Sequence, residues 1–213
     1  FDGLYISQNT ALCNEYMGKY PVVFISFKDV NGLTFDRAYD ALVQIIGEIA
    51  NGFSFLMNSD KLSKNEKEQY QGIIQIKDGK YHMSDGVVIS SLKVLSQLLT
   101  KHYGKNTIFI IDEYDVPLDK AFQHGHYDEM VELIRGILGK VLKTNDYLQF
   151  AILTGCLRIS KESIFTGINN FKVLSILDAR FDEQFGFSDD EVKNLLADYG
   201  LASHFEEAKE WYD

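Results

Sequence analysis

Residues 107–117 have the sequence Thr-Ile-Phe-Ile-Ile-Asp-Glu-Tyr-Asp-Val-Pro, in which a continuous apolar run leads directly into two adjacent carboxylates. A strand inside a parallel sheet is buried on both faces, so an uninterrupted apolar run suits it. Open α/β sheets bind ligands at the carboxyl ends of their strands, which is where Asp112 and Glu113 would stand. The stretch therefore predicts a central strand of a parallel sheet with an acidic site at its end.

The acidic end of this strand fits a Walker B motif, which handles Mg²⁺ and water in nucleotide hydrolysis. Asp112 would hold Mg²⁺ through a water molecule, and Glu113 would orient or deprotonate the attacking water. Asp115 is a further candidate for the metal site, behind Asp112. A plain buried strand that ends in an acidic turn before Pro117 explains the same residues without chemistry.

The phosphate-binding half of such a site is not found in the sequence. A P-loop has the pattern Gly-x-x-x-x-Gly-Lys-Ser/Thr, whose backbone N–H groups and lysine cradle the phosphates. Four Gly-Lys pairs lack both the earlier glycine and the following hydroxyl residue: Gly18-Lys19, Gly79-Lys80, Gly104-Lys105 and Gly139-Lys140. We expect a P-loop to lie before Phe1 in a longer protein, and this chain alone to have little or no ATPase activity.

Along the chain, strand-like and helix-like segments alternate. Strands are predicted at residues 20–27, 107–112, 147–155 and 172–177, and helices after Thr34, after Ser84 and over residues 127–143. This alternation predicts an α/β fold with a parallel sheet flanked by helices. We expect an incomplete core over residues 1–186 with a polar insertion at 51–86. Residues 187–213 would start a helical lid, or supply two short helices that finish the same domain.

Composition narrows the classes of partner. The 213 residues carry a net charge of −10 and four arginines, which disfavours a broad nucleic-acid surface. No apolar run approaches the ~20 residues of a membrane span. Cys13 and Cys156 lack metal-ligand or redox spacing and are expected to be reduced thiols of a cytoplasmic protein. The segment from His124 to His126 is better interpreted as a solvated loop than as a metal site.

Four segments in this order resemble the bacterial AAA-ATPase-like family: residues 20–28, 110–117, 153–170 and 185–188. The most distinctive is the Thr-Gly-x-x-Arg segment that begins at Thr154 and runs to the pair Asn169-Asn170. The resemblance implies a P-loop NTPase core that uses ATP and Mg²⁺, with a P-loop strand before it and helices after it. It also implies, in many members, a downstream nuclease-like domain, so nucleic acid would be contacted only outside this chain. A homo-oligomer is compatible with it.

The resemblance also assigns roles to individual residues. It makes Asp112 the Mg²⁺ carboxylate and Glu113 the catalytic one. Thr154 corresponds to the polar sensor that contacts the γ-phosphate or the attacking water, although a hydroxyl that caps the next turn fits equally well. Arg158 would stabilise charge on the transferred phosphoryl group, and an ion pair with a carboxylate is its alternative.

Three functions from different classes remain open. The preferred one is a module of a larger ATPase that contributes the Mg²⁺ and sensor residues. The second is a non-catalytic interaction or regulatory domain, which the missing Gly-Lys-Ser/Thr supports. The third is a nuclease, but the acidic-x-Lys run Glu191-Val192-Lys193 falls on a predicted helix and not on a strand.

Overall fold

The structure is a computed structural model that describes residues 3–156, 164–165, 172–175, 178, 180 and 186–212. The chain divides into two compact units, Phe1–Ile168 and Asn169–Asp213. The predicted functional domains at 1–186 and 187–213 stay a prediction.

The described helices are α1 Thr10–Tyr16, α2 Phe35–Asn51, α3 Lys64–Ile73, α4 Asp85–Tyr103, α5 Val116–His124, α6 Tyr127–Leu142, α7 Asp189–Asp198 and α8 Phe205–Tyr212. The described strands are β1 Val22–Ser26, β2 Ile76–Lys77, β3 Lys80–Tyr81, β4 Thr107–Asp112 and β5 Leu148–Leu153. Short 3-10 helices occur at Tyr5–Gln8, Ser54–Asn58 and Ala202–His204. None of the helices in the described ranges combines the length and apolarity that crossing a membrane requires.

The first unit is built on a three-stranded sheet in the order β1-β4-β5. Both strand pairs are parallel, and Ser26 of β1 stands opposite Asp112 of β4. The predicted α/β fold with a parallel sheet flanked by helices is therefore confirmed. Of the strand predicted at 172–177, residues 172–175 form no strand, and the last two residues lie outside the described part of the chain.

The two faces of this sheet differ in burial. Helices α2, α4 and α6 pack against β1, β4 and β5, respectively. The face beneath these helices is fully buried at Val23, Ile25, Phe109 and Ile111. The opposite face has exposed apolar side chains at Val22, Phe24, Phe150 and Ile152. Right-handed crossovers that step across a sheet in one direction place their helices on one face, and both crossovers here step from β1 towards β5.

The start of α2 and the end of α4 lie where the sequence predicts them. The side chain of Thr34 accepts a hydrogen bond from the N–H of Arg37 and so caps α2. Helix α4 ends at Gly104, whose φ of 70° is left-handed and which bonds back to Thr100. These end signals position α2 and α4 over the buried face.

Helix α5 differs from the sequence interpretation of an acidic turn that Pro117 ends. The helix begins at Val116, so Pro117 stands in its first turn. Proline is favoured there because that turn needs no N–H donor from it. Three residues separate the end of β4 from α5, which is followed by Gly125 with a φ of 83°.

The predicted polar insertion at 51–86 is packed against the core of the first unit, to which it belongs. Tyr70 is fully buried and its hydroxyl donates to the carbonyl of Ala50 at 2.5 Å. A β-carbon on Gly47 of α2 would overlap the ring of Tyr81, so the β2–β3 hairpin lies directly against that helix. The insertion thus adds to the apolar core through a few anchoring side chains.

The second unit contains the last two helices. Ser188 and Glu191 form the predicted capping box at the start of α7. Lys209 of α8 contacts Asp189 of α7 at 3.0 Å. The start signal predicted at Ser203 is shifted, because residues 202–204 form a 3-10 turn and α8 begins at Phe205.

Candidate functional site

The site begins with a direct contact between the ends of two neighbouring strands. The hydroxyl of Thr154 donates to Oδ1 of Asp112 at 2.5 Å. The backbone supports this contact, since the N–H of Thr154 bonds to the carbonyl of Ile111 at 2.9 Å. The parallel pairing of β4 and β5 therefore joins two candidate residues that are 42 positions apart in the sequence.

Glu113 follows the strand with an unusual backbone conformation. Its φ is 53°, and Asp78 is the only other non-glycine residue with a positive φ in the described part of the chain. A side chain is disfavoured in the left-handed region, and residues held there cluster at functional sites. The turn is fixed on both sides, because the N–H of Tyr114 bonds to the carbonyl of Thr154 and the N–H of Val116 to that of Glu113.

Asp115 lies at the start of α5 and is only 2% exposed. A β-carbon on Gly155 would overlap its Oδ1 and stand 2.9 Å from its Cγ. Its carbonyl accepts hydrogen bonds from the N–H groups of Leu118 and Asp119. Asp115 is therefore packed under the end of β5, whereas Asp112 and Glu113 are partly exposed at the strand end.

A third strand end reaches the same edge of the sheet. Ser26 of β1 is the register partner of Asp112, and the N–H of Phe27 bonds to the carbonyl of Asp112 at 2.9 Å. The hydroxyl of Ser26 accepts from the N–H of Lys28 at 3.4 Å. Sequence reasoning did not single out Ser26, although a polar residue that closes a buried strand is the signal that finds it.

The donor set suits Mg²⁺ more than a metal held by protein alone. Among the residues that the structure describes, no three His, Cys, Asp or Glu side chains form a group that encloses a metal. Mg²⁺ is usually bound by one or two carboxylates, waters and substrate phosphates, so Asp112 with its neighbours meets that requirement. The predicted roles of Asp112 and Asp115 towards Mg²⁺ stay predictions.

The predicted segment after β5 is described only in part. Phe165 is 8% exposed, and its ring contacts that of Tyr114 edge-on with centroids 5.4 Å apart. This contact packs an aromatic residue against the turn that holds Glu113. Arg158 lies outside the described residues, so its predicted role stays a prediction.

The sequence predicts a solvated loop from His124 to His126, and this prediction is wrong for His126. His126 is 7% exposed, and its Nε2 has no hydrogen-bond partner among the residues that the structure describes. His124 is exposed, and the two rings are stacked with centroids 6.4 Å apart. The left-handed Gly125 turns the chain sharply enough to bury the second histidine, a conformation that the short motif alone does not reveal.

Comparisons with known proteins agree with this architecture. A family model described as a predicted AAA-ATPase, AAA-ATPase-like, matches residues 1–165. An uncharacterized protein in the vnfD 5′ region of Azotobacter chroococcum mcd 1 is 27% identical over 111 residues. The alignment covers 52% of this chain and 21% of that protein, so the chain spans about a fifth of the relative's length. No solved structure matches the chain.

Proposed function

Because the chain belongs to the AAA-ATPase-like family and is an ATPase-like module, we propose that it supplies the Walker B and sensor part of a site that binds and hydrolyses Mg²⁺-ATP. The observation that carries this proposal is the hydrogen bond from Thr154 to Asp112 at the carboxyl edge of the sheet. Ligands of open α/β sheets bind at this edge. The chemistry would thus rest on the ends of β4 and β5.

Asp112 would accept a hydrogen bond from a water molecule bound to Mg²⁺. Its Oδ1 already accepts a hydrogen bond from the hydroxyl of Thr154, which restrains the rotation of the carboxylate and leaves Oδ2 for that water. A threonine hydroxyl has a single proton, so Thr154 cannot donate to a phosphate oxygen at the same time. In this arrangement Thr154 acts as a positioning residue for Asp112 and accepts from water.

Glu113 would orient the attacking water or take its proton. The left-handed backbone at Glu113 costs conformational energy, which is consistent with a residue whose position is functionally important. Arg158 would stabilise charge on the transferred phosphoryl group, a role that rests on the family resemblance alone. ATP and Mg²⁺ are accordingly the proposed ligands.

The phosphate cradle would come from a Gly-x-x-x-x-Gly-Lys-Ser/Thr segment of the longer protein, because the 213 residues contain none. The chain alone would then bind ATP weakly and turn it over little or not at all. A cytoplasmic location, a homo-oligomer and contact with nucleic acid through other domains belong to the same proposal.

The test is Mg²⁺-ATP binding and turnover by the intact protein that contains this chain. Glu113→Gln should keep ATP binding and lose turnover by at least about a hundredfold. Asp112→Ala should weaken both, since Mg²⁺ placement is lost. Glu129→Gln, an exposed acid on α6, is the matched control and should behave as the unsubstituted protein.

Two outcomes contradict the proposal. Unchanged turnover in Glu113→Gln would remove the catalytic role of that carboxylate. Absence of Mg²⁺-dependent ATP binding in the intact protein would favour a non-catalytic interaction or regulatory domain.

A further inference from the structure

An open cavity of about 480 Å³ lies between the loop that follows β1 and helix α5. Its basic lining residues are Arg37, Lys120 and His124, its amide side chains are Asn31 and Gln123, and no carboxylate lines it. We propose that this cavity binds the phosphate group of a small phosphorylated molecule, independently of the Asp112 site.

Charge distinguishes this cavity from the rest of the chain. The protein has 31 acidic and 21 basic residues, so a concave surface lined by basic groups without an acid reverses the overall sign. No salt bridge within the described part of the chain involves Arg37. The Lys120 ammonium is 3.9 Å from Oδ2 of Asp119, an oxygen that also accepts from Nε2 of Gln123 at 2.7 Å, so this carboxylate lies beside the lining without being part of it.

The basic groups stand on rigid elements. Lys120 and His124 are four residues apart on α5 and therefore share one face of that helix. Arg37 is in the first turn of the 17-residue α2, and the positive end of that helix's dipole lies at this turn. Two helices thus present their cations to one space.

The loop that follows β1 is closely packed against the first turn of α2. A β-carbon on Gly32 would stand 2.5 Å from the nitrogen of Ala38 and 2.8 Å from Cβ of Arg37. The same loop is anchored by Val30, which is fully buried and bonds to the carbonyl of Phe27. The loop is therefore held directly against the first turn of α2, and the cavity is preformed on that side.

The lining matches a phosphate group in particular. A guanidinium, an ammonium and an imidazole supply several donors, and a phosphate dianion supplies several acceptor oxygens in compact form. Leu33, 65% exposed beside these donors, offers an apolar contact for the organic part of the ligand. None of the lining residues belongs to the Asp112 site, so the proposed binding does not depend on the predicted Mg²⁺ carboxylate.

The test is titration of the 213-residue protein with inorganic phosphate and with pyrophosphate, in EDTA, followed by NMR. Saturable shifts are expected for the ring protons of His124 and the amide of Arg37. Arg37→Gln and Lys120→Gln should each weaken binding about fivefold, because each removes one charged donor at an exposed site. Lys64→Gln, which removes an exposed lysine from α3, should leave binding unchanged.

Three results would overturn the inference. The first is the absence of saturable shifts with either anion. The second is equal weakening in Lys64→Gln, which would mean diffuse attraction to any lysine. The third is loss of Mg²⁺-free pyrophosphate binding in Asp112→Ala, which would place the anion in the proposed nucleotide site. Failure of ATP turnover in the intact protein leaves this test unaffected, since it uses neither ATP nor Mg²⁺.

Discussion

Gly155 lies directly against Asp115, so that a β-carbon on Gly155 would overlap a carboxylate oxygen and stand 3.0 Å from the ring of Tyr114. The end of β5 can approach the β4–α5 turn this closely only because residue 155 has no side chain. That approach places Thr154 within hydrogen-bond distance of Asp112. The glycine of the Thr-Gly pair is therefore part of how the site is assembled.

Gly155→Ala should destabilise the protein, because the buried Asp115 has to move to make room. The expected loss in the free energy of unfolding is about 1–3 kcal/mol, measured by urea denaturation. Gly139→Ala is the matched control, since nothing lies within 4 Å of its β-carbon and it stands inside α6. That variant should gain about 0.5–1 kcal/mol from helix propensity. Equal stability of Gly155→Ala and the unsubstituted protein would contradict the packing argument.

Glu113 is expected to carry backbone strain. Glu113→Gly should be more stable than Glu113→Ala by about 1 kcal/mol, because glycine adopts the observed φ of 53° without a side-chain clash. Urea denaturation of both variants measures the difference. Asp78 in the β2–β3 turn has a φ of 51° and provides a parallel pair of variants, Asp78→Gly and Asp78→Ala. A glycine variant no more stable than its alanine counterpart at position 113 would show that the turn relaxes.

Thr154→Val keeps the shape of the side chain and removes its donor. In the intact protein we expect turnover to fall about tenfold and the Mg²⁺ concentration for half-maximal activity to rise, because the Asp112 carboxylate loses its restraint. Thr154→Ser, which retains the hydroxyl, should keep most of the turnover and a Mg²⁺ requirement close to that of the unsubstituted protein. An unchanged Mg²⁺ requirement in Thr154→Val would indicate that the hydroxyl acts only on local structure.

Glu66 should make the stability of the first unit depend on pH. Its hydrogen bond from Lys101, followed by those from Ser63, lowers the pKa of the Glu66 carboxyl to about 2. Since this pKa is below the unfolded value, the contribution is present above about pH 4.5 and is lost as the pH falls towards 2. Lys101 is nearly half exposed, so the contribution is only about 1 kcal/mol.

The measurement is the free energy of unfolding of the unsubstituted protein and of Glu66→Gln between pH 7 and pH 2. The unsubstituted protein should be more stable at pH 7, and the two should converge near pH 2. A difference that does not change with pH would mean that the capping box, and not the charge, stabilises this end of α3.

Local patterns predicted the elements of this fold better than their contacts. The apolar run before Asp112 identified β4, and Thr34 identified the start of α2, because both signals act within a few residues. The hydrogen bond from Thr154 depends on strand pairing across 42 positions, which no local pattern encodes. The burial of His126 similarly depends on where the Gly125 turn directs the chain after α5.

The burial of the polar insertion was also beyond the sequence pattern. Residues 51–86 have a polar average, yet Tyr70 and Leu56 are fully buried. Composition averages over a segment, whereas packing depends on the few side chains that face the core. The same averaging hides the difference between the two faces of the sheet, because apolar residues occupy both faces of all three strands.

That second face should make the 213-residue protein self-associate. Phe24 is 55% and Ile152 50% exposed on the same face of the sheet, on either side of Ile110. Parallel sheets are normally covered on both faces. Both crossovers place their helices on the other face, so nothing within these two connections can cover this one. We expect a second copy to do so at high concentration.

Sedimentation velocity over a range of concentrations measures this association. The double variant Phe24→Ser with Ile152→Ser should remain monomeric and change the free energy of unfolding by less than about 1 kcal/mol, because exposed side chains contribute little to folding. Phe122→Ser, on the exposed side of α5, is the control and should associate as the unsubstituted protein does. Association that persists in the double variant would place the contact elsewhere, for instance at the edge of β5 that pairs with no strand of the described ranges, where an added strand would extend the hydrogen bonding of the sheet.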